Sequence, residues 1–239
     1  MSIKDLGVDR IIGKEKINIK FGKEVKKWQR TLKEVVEGRV ILQVAEGKKF
    51  IEKKGNAVIY DVFHLDEKLE VACDLTLLKF GKISLKNSGE LFFTYGHLHE
   101  KNLGECYTCL KNEAFLVLVD KDDFNTKIVN MEEGDTAFIH PKYIHRLVVK
   151  DKDVAILGFV PKEAGHNYEV VKNKGLPYHI FREDEEFQFV HNDKYDVKEL
   201  KFLNLKKNDI NPINLFLKDT KKLRDILYNP KNYGDLYSI

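Results

Sequence analysis

Thr94-Tyr95-Gly96-His97-Leu98-His99, followed by Glu105 and, 40 residues beyond it, by His145, is the stretch on which the reading of this chain turns. Side chains of an extended segment alternate with a period of two, so His97 and His99 point to the same side. Glu105 and Tyr107 open the next segment in the same parity as each other. His145 follows the turn Glu132-Glu133-Gly134-Asp135 and a strand that can return to the same sheet. Three imidazoles and one carboxylate converging inside β-structure predict a site for a divalent transition metal. Imidazole suits Zn, Fe, Ni and Mn, and the carboxylate favours the harder of these. Four protein ligands in an octahedral arrangement leave two positions for substrate oxygens or water.

Outward from this stretch, Ala57 to Val160 reads as short β-rich segments. They are Ala57–Phe63, Asp74–Phe80, Leu91–Thr94, Glu105–Leu110, Ala114–Val119, Thr136–His140, Arg146–Lys150 and Val154–Val160. Gly81, Asn87-Ser88-Gly89, Gly104, Lys111-Asn112 and Asp122-Asp123 punctuate them. Many short strands at regular spacing predict an antiparallel sandwich or barrel. Residues 1–55 are basic, and Val25, Trp28, Leu32, Val35 and Val36 predict a helix over Lys23–Glu37 that Gly38 stops. Beyond Pro161 the pattern is mixed, with a strand expected at Phe187–Val190 and a helix at Leu217–Tyr228, ending before Asn229-Pro230. The expected organisation is an N-terminal extension (1–55) packed on a barrel (56–180), then a C-terminal extension (181–239) that is not a separate domain, being too small for a core of its own.

Composition narrows the function classes. Of 239 residues, 43% are hydrophobic and 33% charged, enough for a substantial core under a surface rich in ion pairs. The charges nearly cancel at +3, and Lys outnumbers Arg 35 to 6, so a nucleic-acid partner is not expected. No apolar run approaches the roughly 20 residues a membrane helix needs, so none is expected to span a membrane. Met1-Ser2-Ile3-Lys4-Asp5 lacks the apolar core of a signal peptide, and three cysteines make no disulfide framework; the expectation is a cytoplasmic protein with reduced thiols. Cys106-Tyr107-Thr108-Cys109 spells C-x-x-C, but in a strand its thiols face opposite sides, which suits neither a redox nor a zinc site.

Gly-His-x-His with a following Glu, and then Gly, Pro and His, resembles the two motifs of the cupin superfamily. Phe92-Phe93-Thr94-Tyr95-Gly96-His97-Leu98-His99, Glu105-Cys106-Tyr107, Tyr143-Ile144-His145-Arg146 and Pro161-Lys162-Glu163-Ala164-Gly165-His166-Asn167-Tyr168 resemble the cupin-type phosphoglucose isomerases known mainly from archaea. Val58-Ile59-Tyr60-Asp61-Val62 and Thr76-Leu77-Leu78-Lys79-Phe80-Gly81-Lys82 continue the similarity, which covers roughly residues 55–178.

The resemblance implies a mainly all-β, cupin-like antiparallel β-barrel or jelly roll with an N-terminal helical segment and a mixed C-terminal extension. It implies a homodimer with one divalent metal per subunit, Fe²⁺ first and Mn²⁺, Ni²⁺ or Zn²⁺ as alternatives, held by His97, His99, Glu105 and His145. The implied reaction is interconversion of glucose 6-phosphate and fructose 6-phosphate, or of a related sugar phosphate, in glycolysis and gluconeogenesis. Thr76, Thr94 and Gly96 match positions around the substrate phosphate. Two hydroxyls and a backbone N–H can hold a phosphate dianion without clustered arginines. Tyr107, Lys142 and Tyr168 complete the substrate-binding set, and Glu105, His166 and Tyr168 the catalytic one. Lys142 and Val160 stand where the family has tyrosines, and Lys142 is expected to reach a phosphate or a sugar carboxylate. The alternatives are a non-catalytic metal-dependent sugar or phosphosugar binder, or another cupin enzyme such as an epimerase or oxygenase.

Overall fold

Alternating apolar residues carry most of this chain into antiparallel sheets. The computed structural model describes residues 2–197, 199–205 and 209–237. A hairpin of β1 (Val8–Ile12) and β2 (Asn18–Phe21) precedes β3 (Lys26–Thr31), α1 (Leu32–Glu37) and α2 (Val44–Lys54). Then come β4 (Val58–Lys68), β5 (Val71–Leu78), β6 (Lys82–Ile83), β7 (Ser88–Leu91) and β8 (Glu105–Lys111). β9 (Ala114–Asp120), β10 (Thr126–Met131), β11 (Thr136–Ile139), β12 (Tyr143–Val149) and β13 (Val154–Pro161) follow. The remainder holds β14 (Tyr178–Glu183), β15 (Glu186–His191), β16 (Leu200–Leu203), α3 (Pro212–Lys218) and α4 (Thr220–Tyr228).

A six-stranded antiparallel sheet, β11-β8-β13-β5-β4-β3, faces a four-stranded sheet, β12-β9-β10-β16, across the main core. A third sheet, β15-β14-β7-β6, joins that core through Leu91 and Ile180. The six-stranded sheet is apolar on both faces. Its inner face carries Val62, Leu78, Cys109 and Ile156. Its outer face carries Leu75, Cys106, Leu157 and Phe159, covered by Leu6 and Val8 from the N-terminus and by Phe216, Leu223 and Leu227 from α3 and α4. The C-x-x-C thiols therefore sit on opposite faces. Burial pushes Cys109 up to about 12 and Cys106 well above its ordinary value, so neither is a ready nucleophile.

Three local expectations are corrected. Lys23–Glu37 is not one helix: Lys26–Thr31 is an edge strand whose Trp28 is the register partner of Val62. The helix begins only at Leu32, because Thr31 and Glu34 form a capping box, with the Glu34 carboxylate accepting from the Thr31 N–H at 2.7 Å. Leu91–Thr94 is not a continuous strand. β7 ends at Leu91, and beyond it the chain forms isolated bridges at Phe93–Val148, His97–His145 and Leu98–Asn167, with Gly96 at φ +84° separating the first two. Leu217–Tyr228 breaks at Asp219, whose side chain accepts from the Lys222 N–H and starts α4 afresh.

Candidate metal centre

The bridge that follows Gly96 brings the first two candidate ligands together. The His97 N–H donates to the His145 carbonyl at 3.3 Å, the His145 N–H donates to the His97 carbonyl at 3.0 Å, and the two rings lie 4.3 Å apart. His99 is one extended period further on, its ring 5.4 Å from that of His97. Glu105 opens β8 on the facing sheet. The Leu103 carbonyl accepts from His99 Nδ1 at 2.6 Å, and the Tyr143 carbonyl accepts from His145 Nδ1 at 3.2 Å. A carbonyl only accepts, so these bonds assign the proton of each ring to Nδ1 and leave Nε2 facing inward.

All three Nε2 atoms converge on Glu105 Oε2, at 3.8 Å from His97, 3.3 Å from His99 and 2.9 Å from His145. Two electron-rich atoms at 2.9 Å need a positive charge between them, either a proton or a metal ion. The buried Nε2 atoms of His97 and His99 have no hydrogen-bond partner among the described residues. The four ligand atoms lie within 4.8 Å of one another, a set that could hold a metal ion. Burial, reinforced by His145, pushes His97 well below its ordinary pKa, which favours the neutral ring a metal requires. Burial opposes charge on Glu105, yet the His145 and His99 rings, where they carry a proton in place of a metal ion, hold its carboxyl well below the usual range. Residue types and geometry both fit a divalent cation.

Beside the cluster opens a cavity of about 280 Å³. Thr76, Thr94, Gly96, Tyr107, His166 and Tyr168 all line it, together with His97 and Glu105. The His166–Tyr168 segment is docked onto the metal strand by backbone bonds: Asn167 N–H to the Leu98 carbonyl at 2.8 Å and Leu98 N–H to the Asn167 carbonyl at 3.2 Å. That pairing sets the His166 ring 4.4 Å from His97 and the Tyr168 ring 5.4 Å from Tyr95. Burial, with the Glu105 charge beside it, holds the Tyr107 phenol well above its ordinary pKa, so it stays a neutral donor. Thr94 Oγ1 accepts from the Leu147 N–H at 3.0 Å, which leaves its own O–H to donate.

Lys142 is the exception among the expected site residues. It does not line the cavity; its Nζ pairs with Asp120 at 2.8 Å and lies over the Tyr143 ring. A nearby carboxylate captured it, so it is not available to a phosphate in the cavity. Val160, the other departure, does line the cavity. Six further lining residues were not among the expected ones: Trp28, Tyr60, Val62, Asp74, Tyr95 and Gly158. Trp28 was lost with the helix assigned to its segment. Asp74 was legible, because it shares a strand face with Thr76 two residues on.

A family model described as Glucose-6-phosphate isomerase (GPI) matches residues 31–198. The chain belongs to the glucose-6-phosphate isomerase family. The match contains all four candidate ligands, but it starts after Trp28 and ends before α3 and α4. A glucose-6-phosphate isomerase of Pyrococcus furiosus is 30% identical over 154 residues, covering 62% of this chain and 78% of that protein. One from Thermococcus onnurineus is 33% identical over 144 residues, covering 58% and 73%. An RmlC-like cupin protein from Desulfovibrio desulfuricans overlays 41% of this chain and 77% of its own at 12% identity, with a TM-score of 0.31, too loose to add to the case.

Proposed function

We propose that this chain is a metal-dependent aldose–ketose isomerase acting on glucose 6-phosphate and fructose 6-phosphate. One observation carries the reading: in a member of this family, three imidazoles and a carboxylate converge beside a cavity lined by two threonine hydroxyls and a glycine backbone. His97, His99, Glu105 and His145 would hold the ion. A divalent cation there would supply Lewis-acid polarisation of the sugar carbonyl. Fe²⁺ is our first choice, with Mn²⁺, Ni²⁺ and Zn²⁺ as the ions to compare.

The protein's own groups do the rest. The Thr76 and Thr94 hydroxyls and the Gly96 N–H bind the phosphate and fix the sugar's direction in the cavity. Tyr107 shares the cavity wall with Glu105 and offers its neutral phenol to the sugar or to that carboxylate. His166 and Tyr168 wall the side of the cavity next to His97 and exclude water from the reacting carbons. A proton-transfer route between C1 and C2 uses Glu105 as base, whereas a hydride shift uses no base. Deuterium incorporation from solvent separates the two routes.

A homodimer and a cytoplasmic location complete the reading. β3 is an edge strand, and its Trp28 is 46% exposed at the cavity, a surface a second copy can cover. Light scattering should return about twice 27.9 kDa; a monomer at all concentrations would refute the dimer. The deciding experiment is a coupled isomerase assay on purified protein, stripped with chelator and reloaded with each ion. Turnover restored by metal supports the proposal. Sugar-phosphate binding without turnover would make the chain a phosphosugar binder instead.

A further inference from the structure

One row of register partners crosses the inner face of the six-stranded sheet: Ala137, Tyr107, Gly158, Asp74, His64 and Lys26. Gly158 has no side chain, so Tyr107 on one side of it and Asp74 on the other open onto the same space, and both line the cavity. A Cβ at Gly158 would meet the Tyr107 ring at 3.4 Å. The next register row along the strands holds Thr76 and Val62, and Glu105 begins β8 on the other side of the Tyr107 row. Asp74 therefore sits about one strand period, roughly 6.6 Å, from Thr76, on the side of the metal cluster. Glu105 and His166 are titratable groups that share the cavity with it.

Asp74 is also held. Its Oδ1 accepts from His64 Nδ1 at 2.8 Å, while Oδ2 accepts nothing from the described residues. The fold does not require this carboxylate there: no backbone N–H uses it, and His64 is itself partly exposed. An anionic acceptor aimed into a cavity that also binds a phosphate is unfavourable unless the ligand brings a hydroxyl donor to it.

We propose that Asp74, positioned by His64, is a specificity residue that accepts a hydrogen bond from a hydroxyl on the sugar's carbon chain, between the phosphate held at Thr76 and the carbonyl beside Glu105. The inference rests on the isomerase reading above. A site built to bond a substrate hydroxyl rejects the analogue that lacks it far more strongly than an apolar wall would. The substrate class is thus a polyhydroxylated sugar phosphate, and the analogue deoxygenated at the bonded position is excluded.

The test uses the full-length, metal-loaded protein. Asp74→Ala should raise KM for glucose 6-phosphate about tenfold or more, the loss expected for a hydrogen bond to a charged acceptor. Competitive inhibition by inorganic phosphate should stay within twofold, because the phosphate end is untouched. Among 3-deoxy and 4-deoxy glucose 6-phosphate, one should bind the wild type poorly yet bind the Asp74→Ala protein as well as the parent sugar does. His64→Leu should raise KM in the same direction, and His64→Asn, which keeps an N–H near the Nδ1 position, should restore it.

The inference is overturned if Asp74→Ala leaves KM within twofold. It is also overturned if phosphate inhibition weakens as much as sugar binding, or if every deoxy sugar loses equally in wild type and variant. If the wild type neither turns over nor binds any sugar phosphate, the isomerase reading falls and takes this inference with it. If the wild type turns over and the variant matches it, only the role of Asp74 falls.

Discussion

His97→Gln separates metal binding from folding. The His97 Nε2 is buried without a hydrogen-bond partner among the described residues, so the metal-free protein gains little from it beyond packing. Glutamine preserves much of that volume and can satisfy its own amide at the cavity. The metal-free variant should therefore melt within about 2 °C of the metal-free wild type. Metal changes the comparison. An ion held at 100 times its Kd stabilises the native state by about 2.7 kcal/mol. For 239 residues the unfolding entropy near the midpoint is about 0.5 kcal/mol/K, so wild type should gain about 5 °C. A site weakened about a hundredfold, at the same metal concentration, keeps only about 0.4 kcal/mol, a shift below about 1 °C. Differential scanning fluorimetry of both proteins, chelated and loaded, measures all four midpoints. Identical wild-type midpoints with and without metal would refute the centre, and a full shift retained by His97→Gln would refute this ligand set.

Thr76→Val, which keeps shape and strand propensity while deleting a hydroxyl, should raise KM for glucose 6-phosphate by about tenfold with kcat little changed; steady-state kinetics decides it. Lys142→Ala should leave both constants within twofold, because its ammonium is paired with Asp120 outside the cavity; a larger loss in the coupled assay would mean that Lys142 reaches the substrate. Burial works to raise the Asp120 carboxyl, but the Lys142 hydrogen bond holds it below its ordinary value. Its stabilisation is therefore present above the unfolded pKa of about 3.9 and lost as pH falls through the lower folded value. Asp120→Asn should cost about 0.5 kcal/mol at pH 6 and progressively less as pH is lowered below the unfolded pKa, read from urea melts across that range.

The metal cluster was legible because its signal is local. His97 and His99 share a face through the two-residue period, and Glu105 and His145 stand at turn-bounded strand starts, so spacing and residue type suffice to group them. The same locality explains the β-rich middle, where each short strand carries its own alternation and its own turn. Thr31-x-x-Glu34 also marked the true start of α1, although the apolar spacing of Val25, Trp28 and Leu32 argued for an earlier one.

What only the tertiary structure decided is pairing. Lys26–Thr31 became a strand because β4 offered it an edge, and the ladder bonds satisfied there outweigh the helical spacing of its apolar residues. Lys142 was lost to the cavity because Asp120 is its neighbour across β9 and β12, a proximity no linear spacing encodes. Asp74 met His64 and opened beside Gly158 for the same reason: register across β13, β5 and β4 set them in one row. The identity of the candidate ligands was a property of the sequence. The shape of the space they face belongs to the sheet.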